Sequence, residues 1–300
     1  MAASEASTEN CWKRWAVAEL RYRLVNVFAA EPVLSGNPLC VFEDASGLDT
    51  ATMQALTLQF NLSETTFLLP SDRADARVRI FSPAGEMPFA GHPTLGTAAV
   101  VSSLRGGLRN VSLEMQAGVI PVAVDGDRYT LTANAPSSRP CGASPAELAD
   151  MLGLAPGDIG DGACWVSTGN EQLLIPLTSV QALQRAEPVS TAAEVWANDR
   201  GMVKLYCFVD SDGPSMPVRF FFGKRKGALA EDPGTGSACA NLGGWRVLQG
   251  KPLPWSCVLH QGDHLGRACR LQLDVDAAGT IRVGGRVVEL AEGVLRLGTA

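Results

Sequence analysis

Apolar residues recur along this chain in two patterns, and each pattern predicts a different kind of element. Alternation between neighbouring positions, as at 77–81, predicts half-buried strands. Two other stretches, 92–104 and 235–248, are apolar or small at almost every position, which predicts helices that are buried on all sides. Each of these stretches follows a polar loop that contains glycine and proline. The pattern therefore predicts two buried helices, each entered from a sharp loop whose backbone N–H groups are free.

The other predicted elements come in a similar order in the two parts of the chain. Strands of the first part are predicted at 21–28, 39–42, 62–69, 77–81, 111–115, 119–124 and 129–133, with a helix that begins at Asp49 or Thr50. In the second part, the capping box Ser144-Pro145-Ala146-Glu147 predicts a helix that extends to Leu154. Further strands are predicted at 164–167, 173–175, 203–209 and 218–222, helices around 180–185 and 192–197, and short tail strands with turns at 276–279 and 284–285.

This order of elements predicts an α+β fold of two pseudo-symmetric halves. Strictly alternating βαβ units are missing and no GxGxxG follows a strand, which argues against a Rossmann domain. We therefore expect each half to be a mostly antiparallel sheet rolled around its buried helix. The first half comprises 21–135 and the second 136–300, after an extension, 1–20, that is irregular or a short surface helix.

The composition excludes several classes of protein. Of the 300 residues, 46% are hydrophobic and 19% charged, which is ordinary for a globular protein with a full core. The net charge is −6, and Lys224-Arg225-Lys226 is the one basic cluster, so nucleic acid is not an expected partner. No apolar run is long enough to span a bilayer, and residues 1–20 lack the apolar core of a signal peptide. We therefore expect a cytoplasmic protein without a membrane partner.

The eight cysteines are scattered along the chain without CxxC spacing. In a chain of this length, we expect most of them to be buried, reduced thiols that act as small apolar residues. A zinc site has weak support, since His260 and His264 are the only histidines close together in the sequence. No metal site is predicted.

Glu64 is the strongest candidate for chemistry. Its neighbours in 61–69 are otherwise apolar or polar and uncharged, so its carboxylate is expected to be partly removed from water. Such burial raises the pKa of a carboxyl group and suits it to taking and returning a proton near neutral pH. The alternative is a glutamate on an edge strand that points to solvent.

His92, Asp232 and Ser237 lie at the two loop-to-helix transitions. The helix dipole is expected to lower the pKa of His92, so that its neutral imidazole can donate a hydrogen bond. Asp232 and Ser237 can face one pocket, and the N–H groups of Gly234 to Ser237 can hold a carboxylate. The alternative for all of them is a capping network that holds tight turns. A Ser–His–Asp hydrolase is a poor match, because Ser237 lacks a GxSxG elbow.

Together these motifs resemble the PhzF-like phenazine-biosynthesis isomerase family, which has the diaminopimelate-epimerase fold. The similar blocks run through most of the chain from Tyr22 onward, and their order makes the resemblance specific. They are 35–39, Leu62-Ser63-Glu64-Thr65, 79–83 with Glu86, 89–96, Ser167-Thr168-Gly169, 231–238 and 261–267.

The resemblance implies an isomerase that is usually a homodimer and needs no metal or organic cofactor. It implies an active site between the two halves and a final strand, about 287–299, that returns to the first half. The catalytic glutamate of the family matches Glu64, and its supporting histidine and aspartate match His92 and Asp232. The residues that match its substrate-binding positions are Gly91, Gly234, Thr235, Gly236 and Ser237. The implied substrate is a small carboxylate, similar to the dihydro-hydroxyanthranilate of the phenazine enzymes.

Two features separate the chain from relatives on this fold. Epimerases of the fold use two cysteines, whereas this chain has Ala90 and Pro233 at the matching loop positions, which argues against two-thiol racemisation. Lys224-Arg225-Lys226 also departs from the family pattern. If this loop borders the cleft, the substrate is more acidic; the alternative is a solvated surface loop. A binding or regulatory protein without turnover, and a racemase that pairs Glu64 with another base, remain alternatives.

Overall fold

The computed structural model describes residues 17–198, 201–224 and 227–298. Within these residues the strands are β1 (Val17–Val27), β2 (Asn37–Phe42), β3 (Thr65–Leu69), β4 (Ala76–Ser82), β5 (Gly85–Met87), β6 (Asn110–Met115), β7 (Gly118–Asp125), β8 (Arg128–Thr132), β9 (Ser137–Pro140), β10 (Cys164–Ser167), β11 (Gln172–Leu177), β12 (Met202–Val209), β13 (Ser215–Lys224), β14 (Ala230–Asp232), β15 (Trp255–Gln261), β16 (Cys269–Val275) and β17 (Ile281–Gly298). The α-helices are α1 (Thr50–Phe60), α2 (Gly91–Leu104), α3 (Pro145–Leu152), α4 (Val180–Arg185), α5 (Ser190–Ala193) and α6 (Gly236–Leu248). A helix long and apolar enough to cross a membrane is not found in this part of the chain.

A closed ring of strands surrounds helix α2. In this ring each strand pairs with the next in the order β1, β2, β3, β4, β6, β7, β8 and β17, and β17 pairs with β1 to close it. Most of these pairs are antiparallel. Helix α2 packs inside the ring, and ten of its fourteen residues are buried. A helix without a strongly polar face is stable only in such a site, which explains why its residues are mostly apolar or small.

A second group of strands surrounds helix α6. It runs from β9 through β10, β11, β12, β13, β15 and β16 to β17, and is again mostly antiparallel. Strand β17 belongs to both groups: 281–284 pairs with β16, 282–286 with β8 and 287–298 with β1. The predicted class, antiparallel sheets rolled around central helices, is confirmed. The boundary near residue 135 stays a prediction.

The local start signals of the helices are confirmed. Asp49 caps α1, accepting a hydrogen bond from the backbone N–H of Thr52 at 2.8 Å. Ser144 and Glu147 form the predicted capping box at the start of α3. Such caps stabilise a helix by about 1 kcal/mol each. The cysteine prediction is also confirmed: all seven cysteines of the described residues are free, and five of them are buried.

Several predicted boundaries are wrong. Gly284 and Gly285 do not form a turn but lie inside β17, where a Cβ on either would come within 2.7 Å of Tyr129 or Phe28. The two glycines are needed for close packing and not for chain reversal. The helix predicted around 192–197 is instead α5 followed by a short 3-10 turn, Glu194–Trp196.

The first strand begins earlier than predicted, at Val17, and pairs with β17. Residues 17–20 are therefore strand and not irregular extension, while 1–16 lie outside the described residues. Strand β3 begins later than predicted, at Thr65, so that Glu64 precedes the strand. Arg225 and Lys226 lie outside the described residues, and the predictions for that basic loop stay open.

Candidate active site

The two buried helices meet end to end. Helix α2 begins at Gly91 and α6 at Gly236, and a Cβ on Gly91 would lie 3.3 Å from the Cα of Gly236. Neither N-cap residue, Ala90 or Thr235, caps its helix with a side-chain hydrogen bond. The first N–H groups of both helices are therefore available at one place, where their dipoles favour a negative charge. A side chain on Gly91 or Gly236 would crowd this contact.

Glu64 lies beside this junction, just before β3. Its Oε2 atom has almost no contact with water and no hydrogen-bond partner, and it lies 3.5 Å from Nε2 of His92. Burial raises the pKa of the Glu64 carboxyl from 4.5 to about 7, although a hydrogen bond with Ser63 opposes this. The raised pKa predicted from its apolar neighbours is thus confirmed, and both protonation states are populated near neutral pH.

His92 is the second residue of α2 and is buried. Burial lowers its pKa to about 4, while the charge of Asp232 and a hydrogen bond to the Pro38 carbonyl partly oppose this. The direction of the shift agrees with the prediction, but burial and not the helix dipole is its largest cause. The imidazole is neutral near pH 7, and its unpartnered Nε2 faces Glu64.

Asp232 ends the short strand β14, whereas the sequence placed it in a loop. Its carboxylate accepts hydrogen bonds from Thr235 Oγ1 and, at 3.1 Å, from Asn37 Nδ2. Burial raises its pKa, and the nearby charge of Glu64 raises it further. The site therefore holds two carboxyl groups whose ionisations oppose each other.

Asn37 connects these groups, although the sequence indicated only a turn there. Its Nδ2 donates to Asp232 and to the carbonyl of Gly234 at 3.0 Å, and lies 3.4 Å from Nδ1 of His92. The side chain is 1% exposed. A buried amide must satisfy its hydrogen bonds, which these contacts of Asn37 do. The one sign of this role in the sequence is that Asn37 belongs to 35–39, a block that resembles the family.

The residues of the loop before α6 divide into two groups. Thr235 holds Asp232 and accepts a hydrogen bond from Gln261 Nε2 at 3.0 Å, a partner that the sequence did not indicate. The carbonyl of Gly234 is held by Asn37. Gly236 and Ser237, the first two residues of α6, remain at the helix junction. These two, together with Gly91, are therefore best placed for an anionic ligand.

A surface groove of about 390 Å³ lies apart from these residues, between Glu43, Leu68 and Leu104. It includes none of the site residues, and Glu43 is paired with Arg23 at 2.6 Å. The candidate site is the helix junction, because Glu64 and His92 each have a shifted pKa and a buried polar atom without a hydrogen-bond partner, and these two atoms face each other there.

Known proteins are similar in sequence to this chain over almost its whole length. The family model described as phenazine biosynthesis-like protein matches residues 25–293. The chain belongs to the phenazine biosynthesis-like family. A protein of Pasteurella multocida named an uncharacterized isomerase is 40% identical over 91% of this chain and 93% of its own length. The trans-2,3-dihydro-3-hydroxyanthranilate isomerase of Pseudomonas aeruginosa is 32% identical over 91% and 98%.

The fold of this PhzF-family chain is also found among solved structures. A predicted epimerase from Pseudomonas aeruginosa superposes with a TM-score of 0.78 and 35% identity, covering 92% of this chain and 99% of that chain. The resemblance to the PhzF-like family and the diaminopimelate-epimerase-like fold class are thereby confirmed. The relatives named above are called isomerases or an epimerase, in agreement with the predicted reaction class.

Proposed function

We propose that this protein is a cofactor-independent isomerase in which Glu64 moves a proton between two carbon atoms of a small carboxylate-bearing substrate. The observation that carries the proposal is the Glu64 carboxyl itself. Its side chain is 18% exposed but its Oε2 atom is buried and has no hydrogen-bond partner, and its pKa is about 7. A group that must both remove and return a proton works best with a pKa near the working pH.

The proton balance of this reaction closes on one residue. The Glu64 carboxylate takes a proton from a substrate carbon, and the electron pair of that C–H bond shifts into the conjugated system. The resulting carboxylic acid gives the proton to a second carbon, which restores the carboxylate. No atom or electron is gained or lost, so the product is an isomer of the substrate. No second acid or base is required for this step.

His92 and Asp232 hold the substrate while the proton moves. The neutral ring of His92 lies next to Glu64, and Asp232 is a partly exposed carboxyl with a raised pKa. Both are suited to hydrogen bonds with an amine or carbonyl group of the substrate. The helix-start amides at Gly91 and Gly236, with the hydroxyl of Ser237, take the substrate carboxylate.

The relatives and the helix starts at this site support the choice of substrate class. The Pseudomonas aeruginosa relative is named for trans-2,3-dihydro-3-hydroxyanthranilate, which carries a carboxylate, an amine and a hydroxyl group on a ring. Two open helix starts and three neighbouring polar side chains suit such a molecule. We therefore place small, amine-bearing ring acids first among the substrates to be tested.

Two alternatives use the same site. A racemase would need a second base opposite Glu64, and Cys269, which packs against Gly234, is a poor one because burial raises the pKa of its thiol. A binding protein without turnover would keep the cleft but not move protons. The raised pKa of Glu64 and its buried, unpartnered Oε2 atom favour the isomerase over both.

The test is proton exchange in deuterated buffer. Small carboxylates, beginning with trans-2,3-dihydro-3-hydroxyanthranilate, are screened by thermal shift, and each stabilising compound is followed by proton NMR. We expect the wild-type protein to incorporate deuterium and Glu64→Gln to lose at least about 100-fold in rate while still binding the ligand. Glu114→Gln, with a similarly exposed glutamate far from the site, is the control.

Each outcome separates the alternatives. Undiminished exchange in Glu64→Gln refutes the role of Glu64. If compounds stabilise the wild-type protein but none of them incorporates deuterium, a binding protein is favoured. Loss of optical rotation without a change in constitution indicates a racemase.

A further inference from the structure

The hydroxyl of Ser237 is held from behind by two amide side chains. Gln172 Nε2 donates a hydrogen bond to Ser237 Oγ at 2.8 Å, and Asn170 Nδ2 lies 3.5 Å from the same oxygen. A serine hydroxyl has two acceptor sites and one hydrogen to donate. With both acceptor sites facing these amides, the hydrogen is left for a group on the open side of Ser237.

The amide of Gln172 is fixed by a residue of the same helix. Asn241 lies one turn after Ser237 in α6, so both project from the same face. Its Nδ2 donates to Gln172 Oε1 at 2.6 Å, which forces Gln172 Nε2 toward Ser237. Gln172 and Asn241 are both 0% exposed, so water does not compete for these bonds.

The orientations of Asn241 and Asn170 are fixed in turn. Asn241 Oδ1 accepts from the backbone N–H and the hydroxyl of Thr168, both at 2.8 Å, which assigns its Nδ2 to the other side. Lys204 Nζ donates to Asn170 Oδ1 at 2.7 Å, so that Asn170 also turns its Nδ2 toward Ser237. The loop Ser167-Thr168-Gly169, singled out in the sequence, thus supports Ser237 from a distance.

We infer that Gln172 is a positioning residue that makes Ser237 a hydrogen-bond donor and thereby selects substrates that present an acceptor group, such as a carboxylate. The inference rests on the proposed function, since it assumes that the ligand binds at Ser237. It deepens that function by assigning specificity to a residue of β11 that lies behind Ser237. The open hydrogen, together with the helix-start amides, favours a carboxylate over a group that must donate.

The test is a double-mutant cycle between Gln172 and Ser237. The probe is 3-hydroxyanthranilate, the aromatic counterpart of the substrate named for the Pseudomonas relative, and 2-aminophenol is the same probe without its carboxylate. We expect Gln172→Met to weaken binding of 3-hydroxyanthranilate about 5- to 30-fold by calorimetry, since a hydrogen bond to a charged group is lost or misdirected. Binding of 2-aminophenol should change less than twofold.

The cycle identifies the route of the effect. In a Ser237→Ala background, Gln172→Met should cause no further loss, because its target hydroxyl is gone. With a carboxylate that the protein converts to product, Gln172→Met alone should raise KM while kcat stays within about twofold. The reason is that the variant removes a contact made equally in the ground and transition states. Leu174→Met, equally buried and on the same side of β11, is the control for strand packing.

Gln172→Glu is a second variant that keeps the side-chain shape and the bond from Asn241. We expect Gln172→Glu to weaken the binding of 3-hydroxyanthranilate at least as much as Gln172→Met does. In the Ser237→Ala background, the part of this loss that depends on the Ser237 hydroxyl should disappear. Equal losses with and without Ser237, or a loss of 2-aminophenol binding as large as that of 3-hydroxyanthranilate, overturn the inference. If Ser237→Ala weakens binding and Gln172→Met does not, the inference fails and the proposed function stands. If the wild-type protein binds no carboxylate, both fail.

Discussion

Replacing Glu64 by glutamine removes the cost of ionising a buried carboxylate, and this cost depends on pH. Below pH 4.5 the group is protonated in both folded and unfolded protein, so it contributes no difference. As pH rises to about 7, the unfolded carboxyl ionises while the folded one stays neutral, and the free energy of unfolding falls. Above pH 7 the loss is complete.

The size of this effect follows from the pKa. A rise from 4.5 to about 7, at about 1.4 kcal/mol per pH unit, corresponds to about 3 kcal/mol. We therefore expect Glu64→Gln to gain about 3 kcal/mol relative to the wild-type protein between pH 4.5 and pH 8. The charge of Glu64 also raises the pKa of Asp232, so the measured value belongs to the pair.

The assay is urea unfolding of both proteins at several pH values, with the difference in unfolding free energy compared between acid and alkaline conditions. Glu86→Gln is the control of opposite sign. Its partner Arg79 lowers the pKa of Glu86, so that this glutamate stabilises above its unfolded pKa and the stabilisation is lost as pH falls. A Glu64→Gln difference that is the same at pH 4.5 and pH 8 refutes the conclusion that this carboxyl is desolvated.

Two further outcomes are expected. Because Glu64 must begin as a carboxylate to take a proton, kcat/KM should fall as pH drops through about 7, and a profile that is flat from pH 5 to 8 contradicts its role as base. Arg219 and Glu231 form a buried two-pronged ion pair with contacts of 3.0 and 2.8 Å. Arg219→Met should destabilise by about 3–5 kcal/mol, and adding Glu231→Leu should recover part of the loss; thermal unfolding that shows no recovery contradicts an uncompensated charge as the cause.

The parts of the fold that the sequence predicted well depend on local chemistry. The capping box at Ser144 is read from four consecutive residues, and the starts of α2 and α6 are marked by glycine-bearing loops that lead into apolar runs. The raised pKa of Glu64 was also predictable, because its largest cause is burial and the other residues of 61–69 are uncharged.

The parts that were missed depend on contacts between residues far apart in the chain. Gly284 and Gly285 suggest a turn by composition, and only the packing of Phe28 and Tyr129 shows why a strand needs them. The bridging role of Asn37 is of the same kind, since its partners Asp232 and Gly234 lie almost 200 positions away. No local pattern carries such information.

The support behind Ser237 was missed for a related reason. Gln172 stands in an apolar strand, where a single polar residue gives no indication of its partner. Asn241 lies in the middle of a helix that the sequence showed only as buried. The hydrogen bond between Asn241 and Gln172 forms only when β11 packs against α6. This bond explains why a helix so poor in polar residues contains an asparagine.

Strand β17 has a consequence for how the protein is made. The ring around α2 is closed by pairing of β1 and β8 with residues 282–298, so that Val27, for example, pairs with Val287. On the ribosome, all other strands of that ring have been synthesised long before this partner emerges. Until then, the edges of β1 and β8 are open to pairing with other chains. The first part of the protein to be translated is therefore among the last to complete its fold, and a nascent chain that stalls before residue 281 carries two unprotected strand edges.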